Sequence, residues 1–141
     1  MTKDVLISFC STQSDMGKAV KDKTETVVSG LYYEKNNRHY VLYDEKMEGL
    51  DQPVKTKLKI GAGILEITRS GALSVCMVFE ENKKNMADYN TPYGNILFGI
   101  STQKIHISQQ PDTIEVNVDY TLEADNKYLS DCSINMKIQS T

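Results

Sequence analysis

The sequence lacks paired cysteines. Cys10, Cys76 and Cys132 are its three cysteines, and they lie far apart with no Cys-x-x-Cys spacing, which argues against a disulfide framework and fits reduced packing residues. It also lacks a basic excess: sixteen Lys and Arg stand against nineteen Asp and Glu, for a net charge of -3. A domain that binds by neutralising phosphates needs the opposite balance, so nucleic acid is excluded as a partner. No apolar run approaches transmembrane length, and Met1-Thr2-Lys3-Asp4 opens onto an alternating stretch rather than an apolar signal core. The expectation is therefore no membrane partner and a cytoplasmic location.

Catalytic signatures are missing too. There is no Gly-x-Ser-x-Gly elbow and no phosphate-binding Gly-rich loop before a helix, and Gly61-Ala62-Gly63 is adequately a turn. His39 and His106 stand at no ligand spacing with a Cys, Asp or Glu, where a zinc site needs three or four converging groups. His39, beside Arg38, reads as an exposed hairpin residue, and His106 as a solvated one. The cysteines fall within strand patterns, not at helix N-termini that would activate a thiol. No catalytic residue, metal site or cofactor is expected, and the chain reads as a non-enzyme.

What the sequence does have is alternation. With 40% apolar and 25% charged residues over 141 positions, it is ordinary for one globular domain spanning residues 1–141. One face recurs at every second position: Val5, Ile7 and Phe9; Val54, Thr56, Leu58 and Ile60 against Lys55, Lys57 and Lys59; Leu73, Val75, Met77 and Phe79; Ile114, Val116, Val118, Tyr120 and Leu122; Cys132, Ile134, Met136 and Ile138. Such alternation marks half-buried strands. Ile96, Phe98 and Ile100 form another set, followed by Ile105 and Ile107. Turns are expected at Ser70-Gly71, Gln110-Pro111-Asp112 and Asp125-Asn126. Ser11 to Lys23, with Asp15 and Gly17, and the lysine-rich stretch Glu80 to Pro92 read as long polar connections.

Thr24 to Asp44 carries the strongest local signal. Asn36-Asn37 tolerates the positive φ values of a type I′ turn, which pairs Tyr33 with Tyr40, Leu31 with Leu42 and Tyr32 with Val41. Both faces of this hairpin are apolar, and a barrel wall buries only one. The second face is expected to pack on another subunit, as a homodimer through the Tyr-rich hairpin, or under the connection from Glu45 to Pro53. Eight to ten strands with mostly short connections describe an all-β antiparallel up-and-down meander. It removes its edges most simply by closing into a barrel, with a two-sheet sandwich as the alternative.

Leu65-Glu66-Ile67-Thr68-Arg69-Ser70-Gly71, then Val78-Phe79-Glu80, then Tyr89-Asn90-Thr91-Pro92-Tyr93-Gly94 resemble the YwiB-like family of bacterial proteins, once catalogued as a domain of unknown function. The resemblance runs through Val118-Asp119-Tyr120-Thr121-Leu122 to the terminal strand. It implies a calycin-like β-barrel, related in shape to lipocalin-type ligand carriers, in a cytoplasmic protein of low-GC Gram-positive bacteria. It implies no reaction and no catalytic residue.

Arg69 ends a strand whose Leu65 and Ile67 point inward. An inward guanidinium suits the carboxylate or phosphate head of a small, partly apolar ligand, with Tyr89 and Tyr93 near the mouth. The competing reading is a structural arginine paired with a carboxylate, while Pro92 and Gly94 make a bend. Glu115, Asp119 and Glu123 alternate with apolar residues and belong to a solvent face. The alternative to a ligand carrier is a protein-interaction module with a filled barrel and the tyrosine-rich hairpin as its working surface.

Overall fold

The computed structural model describes residues 1–14, 22–46 and 49–141. It holds ten strands: β1 (Asp4–Ser14), β2 (Asp22–Lys35), β3 (Arg38–Glu45), β4 (Val54–Gly61), β5 (Ile64–Ser70), β6 (Val75–Glu80), β7 (Lys83–Thr91), β8 (Gly94–Gln110), β9 (Thr113–Ala124) and β10 (Lys127–Ser140). Among the described residues there is no helix. The sheet order is β6-β5-β4-β3-β2-β1-β10-β9-β8-β7, so all neighbours are consecutive in sequence except β1 and β10. Those two pair antiparallel from Val5–Ser140 to Ser14–Asp131. The result is an all-β, up-and-down antiparallel barrel.

The barrel is nearly closed. Its seam lies between β6 and β7, which share no ladder; a single bridge, Ser74–Asn90, joins the residue before β6 to β7. Asn85 partly substitutes for the missing bonds, its Nδ2 donating to the Val78 carbonyl at 3.2 Å.

Turn chemistry sets the register. Asn36 and Asn37 both take positive φ, 52° and 62°, and the hairpin pairs Tyr33 with Tyr40, Leu31 with Leu42 and Tyr32 with Val41, as the sequence implies. Asp125 and Asn126 do the same at the β9–β10 turn, with φ of 52° and 66°. Both are mirror-image turns whose twist matches the strands.

Three segments differ from the sequence reading. Ser11 to Ser14 continue β1, and Asp22 and Lys23 open β2, while Asp15 and Gly17 lie outside the described residues. Lys83 to Thr91 form β7 instead of a connection, because its inward positions are Asn85, Ala87 and Tyr89, which carry little aliphatic signal. Ile96 to Ile107 belong to one long strand, β8. Its apolar set switches from even to odd numbers because a bulge between Thr102 and Lys104 inserts one extra residue.

Phe79, Ile7, Leu58, Ile60, Leu65, Ile100, Ile114 and Ile138 have under 2% of their area exposed. A void able to hold water would leave accessible area on its lining, so the middle of the barrel is solid. Each of these side chains contributes about 1.5–3 kcal/mol by leaving water.

Candidate functional site

The two ends of the barrel differ. At the end carrying the β2–β3 turn, His39 is only 6% exposed, which corrects the exposed reading: alternation along β3 turns His39, Val41 and Tyr43 to the same inward face. Its Nδ1 lies 2.6 Å from the Tyr32 hydroxyl and its Nε2 3.1 Å from Gln109 Oε1. Because the amide oxygen only accepts, Nε2 donates to Gln109, while Nδ1 faces both the Tyr32 hydroxyl and, at 3.6 Å, the Glu34 carboxylate. Met1, Tyr32, Glu34 and Gln109 line the shallow cleft above. This end is plugged.

At the opposite end, here termed the bowl, the inward side chains are only partly buried. The register places Val75, Arg69, Thr56 and Tyr43 in one inward row across β6, β5, β4 and β3. Arg69 follows the buried Leu65 and Ile67 along β5 and is therefore aimed inward, with its side chain 18% exposed. Its Nε lies 3.4 Å from Glu45 Oε1, which also accepts from Thr56 Oγ1 at 3.1 Å. Among the described residues the two Nη groups have no hydrogen-bond partner. Four of the five guanidinium donors are thus uncommitted among the described residues.

The walls below the rim are apolar and half-buried: Phe9, Met77, Phe98, Tyr120 and Leu122 pack on the solid core. Tyr120 meets Phe79 edge-on with centroids 4.9 Å apart, Phe98 meets Tyr89 at 5.7 Å, and Phe9 meets Tyr43 at 5.8 Å. Burial, with Glu45 nearby, holds the Tyr43 phenol well above its ordinary pKa against the opposing pull of Arg69. Burial does the same to Tyr120, helped by Cys132. Both phenols stay neutral across the physiological range. Gln13 Nε2 donates to Ser130 Oγ at 2.8 Å on the far wall, and Thr102 Oγ1 is buried without a partner among the described residues.

Of the residues singled out by sequence, Arg69 and Tyr89 share this end. Tyr93 lies at this end as well. It sits at the tip of the β7–β8 turn, 87% exposed, with its backbone N–H held by Thr91 Oγ1. His106, Glu115 and Asp119 are exposed, and Glu123 pairs outside the barrel with Lys84 at 2.6 Å. Cys76 is exposed rather than packed, whereas Cys10 and Cys132 are half-buried, and none of the three forms a disulfide among the described residues. Among the described residues no three His, Cys, Asp or Glu converge on a metal site, and no helix is long and apolar enough to cross a membrane.

Glu45 and Thr56 were not anticipated. Glu45 is two positions beyond Tyr43 on the same face, so the alternation of β3 extended by one residue would have put it on the inward side.

Residues 7–136 match a family described as "Domain of unknown function (DUF1934)". The chain is 28% identical over 94 residues to the uncharacterized beta-barrel protein YwiB of Bacillus subtilis (strain 168), across 67% of this chain and 65% of that protein's length. The crystal structure of ywiB protein from Bacillus subtilis superposes with a TM-score of 0.86 at 21% identity, over 99% of this chain and 92% of that one. At that identity the likeness concerns the fold.

Proposed function

The chain belongs to the DUF1934 family, whose description assigns no activity, and from the geometry we propose that it binds a small, partly apolar anion in the bowl, without catalysis. One observation carries this reading: Arg69 presents uncommitted guanidinium donors above half-buried aromatic and aliphatic walls. A carboxylate or phosphate head would accept from Nη1 and Nη2 in the fork geometry that arginine favours. The ligand body would lie against Phe9, Met77 and Tyr120, with Tyr89 at the rim. Its size is limited, since the solid middle of the barrel confines it to one end.

Anilinonaphthalene sulfonate, an aromatic anion that fluoresces in apolar surroundings, is a direct probe. Arg69→Gln is expected to weaken its binding about tenfold, the equivalent of about 1.4 kcal/mol. Unchanged affinity in a folded variant overturns the anchor role. Native mass spectrometry of protein purified from its host would show the natural ligand as added mass.

A second reading has its own support on the outside of the barrel. Leu6, Val27, Leu31, Tyr33 and Leu42 remain substantially exposed on neighbouring strands, Val27 at 62%. Large apolar side chains clustered on one face mark an interaction surface.

A further inference from the structure

The outward face of β1 to β4 has an order that bears on its partner. Register places Asp4 beside Leu31, Leu31 beside Leu42, and Leu42 beside Lys57. The row across four strands therefore reads acid, apolar, apolar, base. The next row runs Tyr33, Tyr40, Lys59, with the two tyrosine rings stacked at 4.8 Å. Neither the Asp4 carboxylate nor the Lys57 ammonium pairs with another side chain among the described residues.

We infer that this face takes a second copy of the chain, related by a two-fold axis that runs parallel to the strands between β2 and β3. The inference rests on the second reading above, that the face is an interaction surface. Such an axis keeps each row level and reverses it. Asp4 then meets Lys57 of the partner copy, Leu31 meets Leu42, and Tyr33 meets Tyr40. Every contact occurs twice, as an isologous interface requires. The alternative two-fold, perpendicular to the strands in the interface plane, sets Asp4 on Asp4 and Lys57 on Lys57. Like charges at an interface cost several kcal/mol, so that arrangement is disfavoured. Asp4 and Lys57 are three strand spacings apart, about 14 Å. The apolar center between them is narrow, which fits a reversible dimer more than an obligate one.

Sedimentation across the micromolar range tests this with the full chain. The wild type is expected to shift from one chain to two as concentration rises. Leu31→Glu, which places a charge on the exposed center, should leave it monomeric. Asp4→Lys and Lys57→Glu should each weaken dimerisation about tenfold, since each sets like charges opposite one another. The double variant Asp4→Lys/Lys57→Glu restores opposite pairing and should recover most of the loss. A wild type that stays monomeric overturns the self-association. Dimers that ignore Leu31→Glu overturn the interaction face itself. Sensitivity to Leu31→Glu without rescue by the double variant keeps the face but overturns the two-fold arrangement.

Discussion

Arg69 and Glu45 meet through a single contact, Nε to Oε1 at 3.4 Å, and Thr56 Oγ1 takes up the same oxygen. Glu45 thereby offsets the arginine's charge without using its terminal donors. Glu45→Gln keeps a hydrogen-bonding oxygen but removes the negative charge, so Arg69 faces the bowl as an uncompensated cation. Anilinonaphthalene sulfonate is expected to bind several-fold tighter to this variant, measured by fluorescence titration. Its stability should fall by no more than about 1 kcal/mol, because the pair is partly exposed and screened.

At the plugged end, His39→Phe keeps the ring volume and removes both nitrogens. The Tyr32 hydroxyl and Gln109 Oε1 then lose their shared partner and turn to water, since Gln109 is exposed and Tyr32 half-buried. Urea unfolding should show a loss of about 1 kcal/mol. Combining it with Tyr32→Phe should cost less than the sum of the two, since they disrupt one network.

Gly30 is fixed by close approach. A Cβ there would stand 2.8 Å from Ile7 Cδ1 and 2.9 Å from the Leu42 carbonyl oxygen. The methyl end of Ile7 can rotate away, but the carbonyl is part of the β3 backbone. Gly30→Ala should therefore destabilise by about 1–3 kcal/mol, read from the midpoint of denaturant unfolding.

Tyr43 and Tyr120 link stability to alkaline pH. Their phenols ionise near pH 10 in an unfolded chain, and burial raises both pKa values in the folded barrel. The unfolded state then releases protons first. The stabilisation they confer is complete below pH 10 and is lost as pH rises from there through the folded values. Spectrophotometric titration should show two phenols ionising later in the folded barrel than in the unfolded chain, and Tyr43→Phe should remove one of them.

Most of the wall was legible because alternation and turn residues act locally. Asn36-Asn37 specified the hairpin and its pairing, and Lys55, Lys57 and Lys59 separated the outside of β4 from its inside. β7 was hidden because a strand at the seam needs little aliphatic surface, and its inward Asn85 serves a backbone carbonyl. The bulge in β8 was visible only as a parity change between Ile100 and Ile105, which looks like an interruption until both halves are paired with β9. His39 reads as exposed from its neighbour Arg38, whereas its parity with Val41 and Tyr43 places it inside. Arg69 was identified from its strand, but its carboxylate partner lies 24 residues away. Contacts of that kind depend on how strands stack, and no local pattern encodes them.

The pairing of β1 with β10 has a consequence for synthesis. Val5 waits for Ser140 and Phe9 for Met136, so during translation the earliest strand emerges long before its second neighbour exists. Until then two open edges travel together, that of β1 and that of the most recently made strand, each a template for unwanted pairing. Ring closure must be among the last folding events, and its rate is set by the search between distant segments rather than by hairpin formation. A nascent chain stalled before β10 should therefore be protease-sensitive and prone to aggregate even though most of its hairpins have already formed.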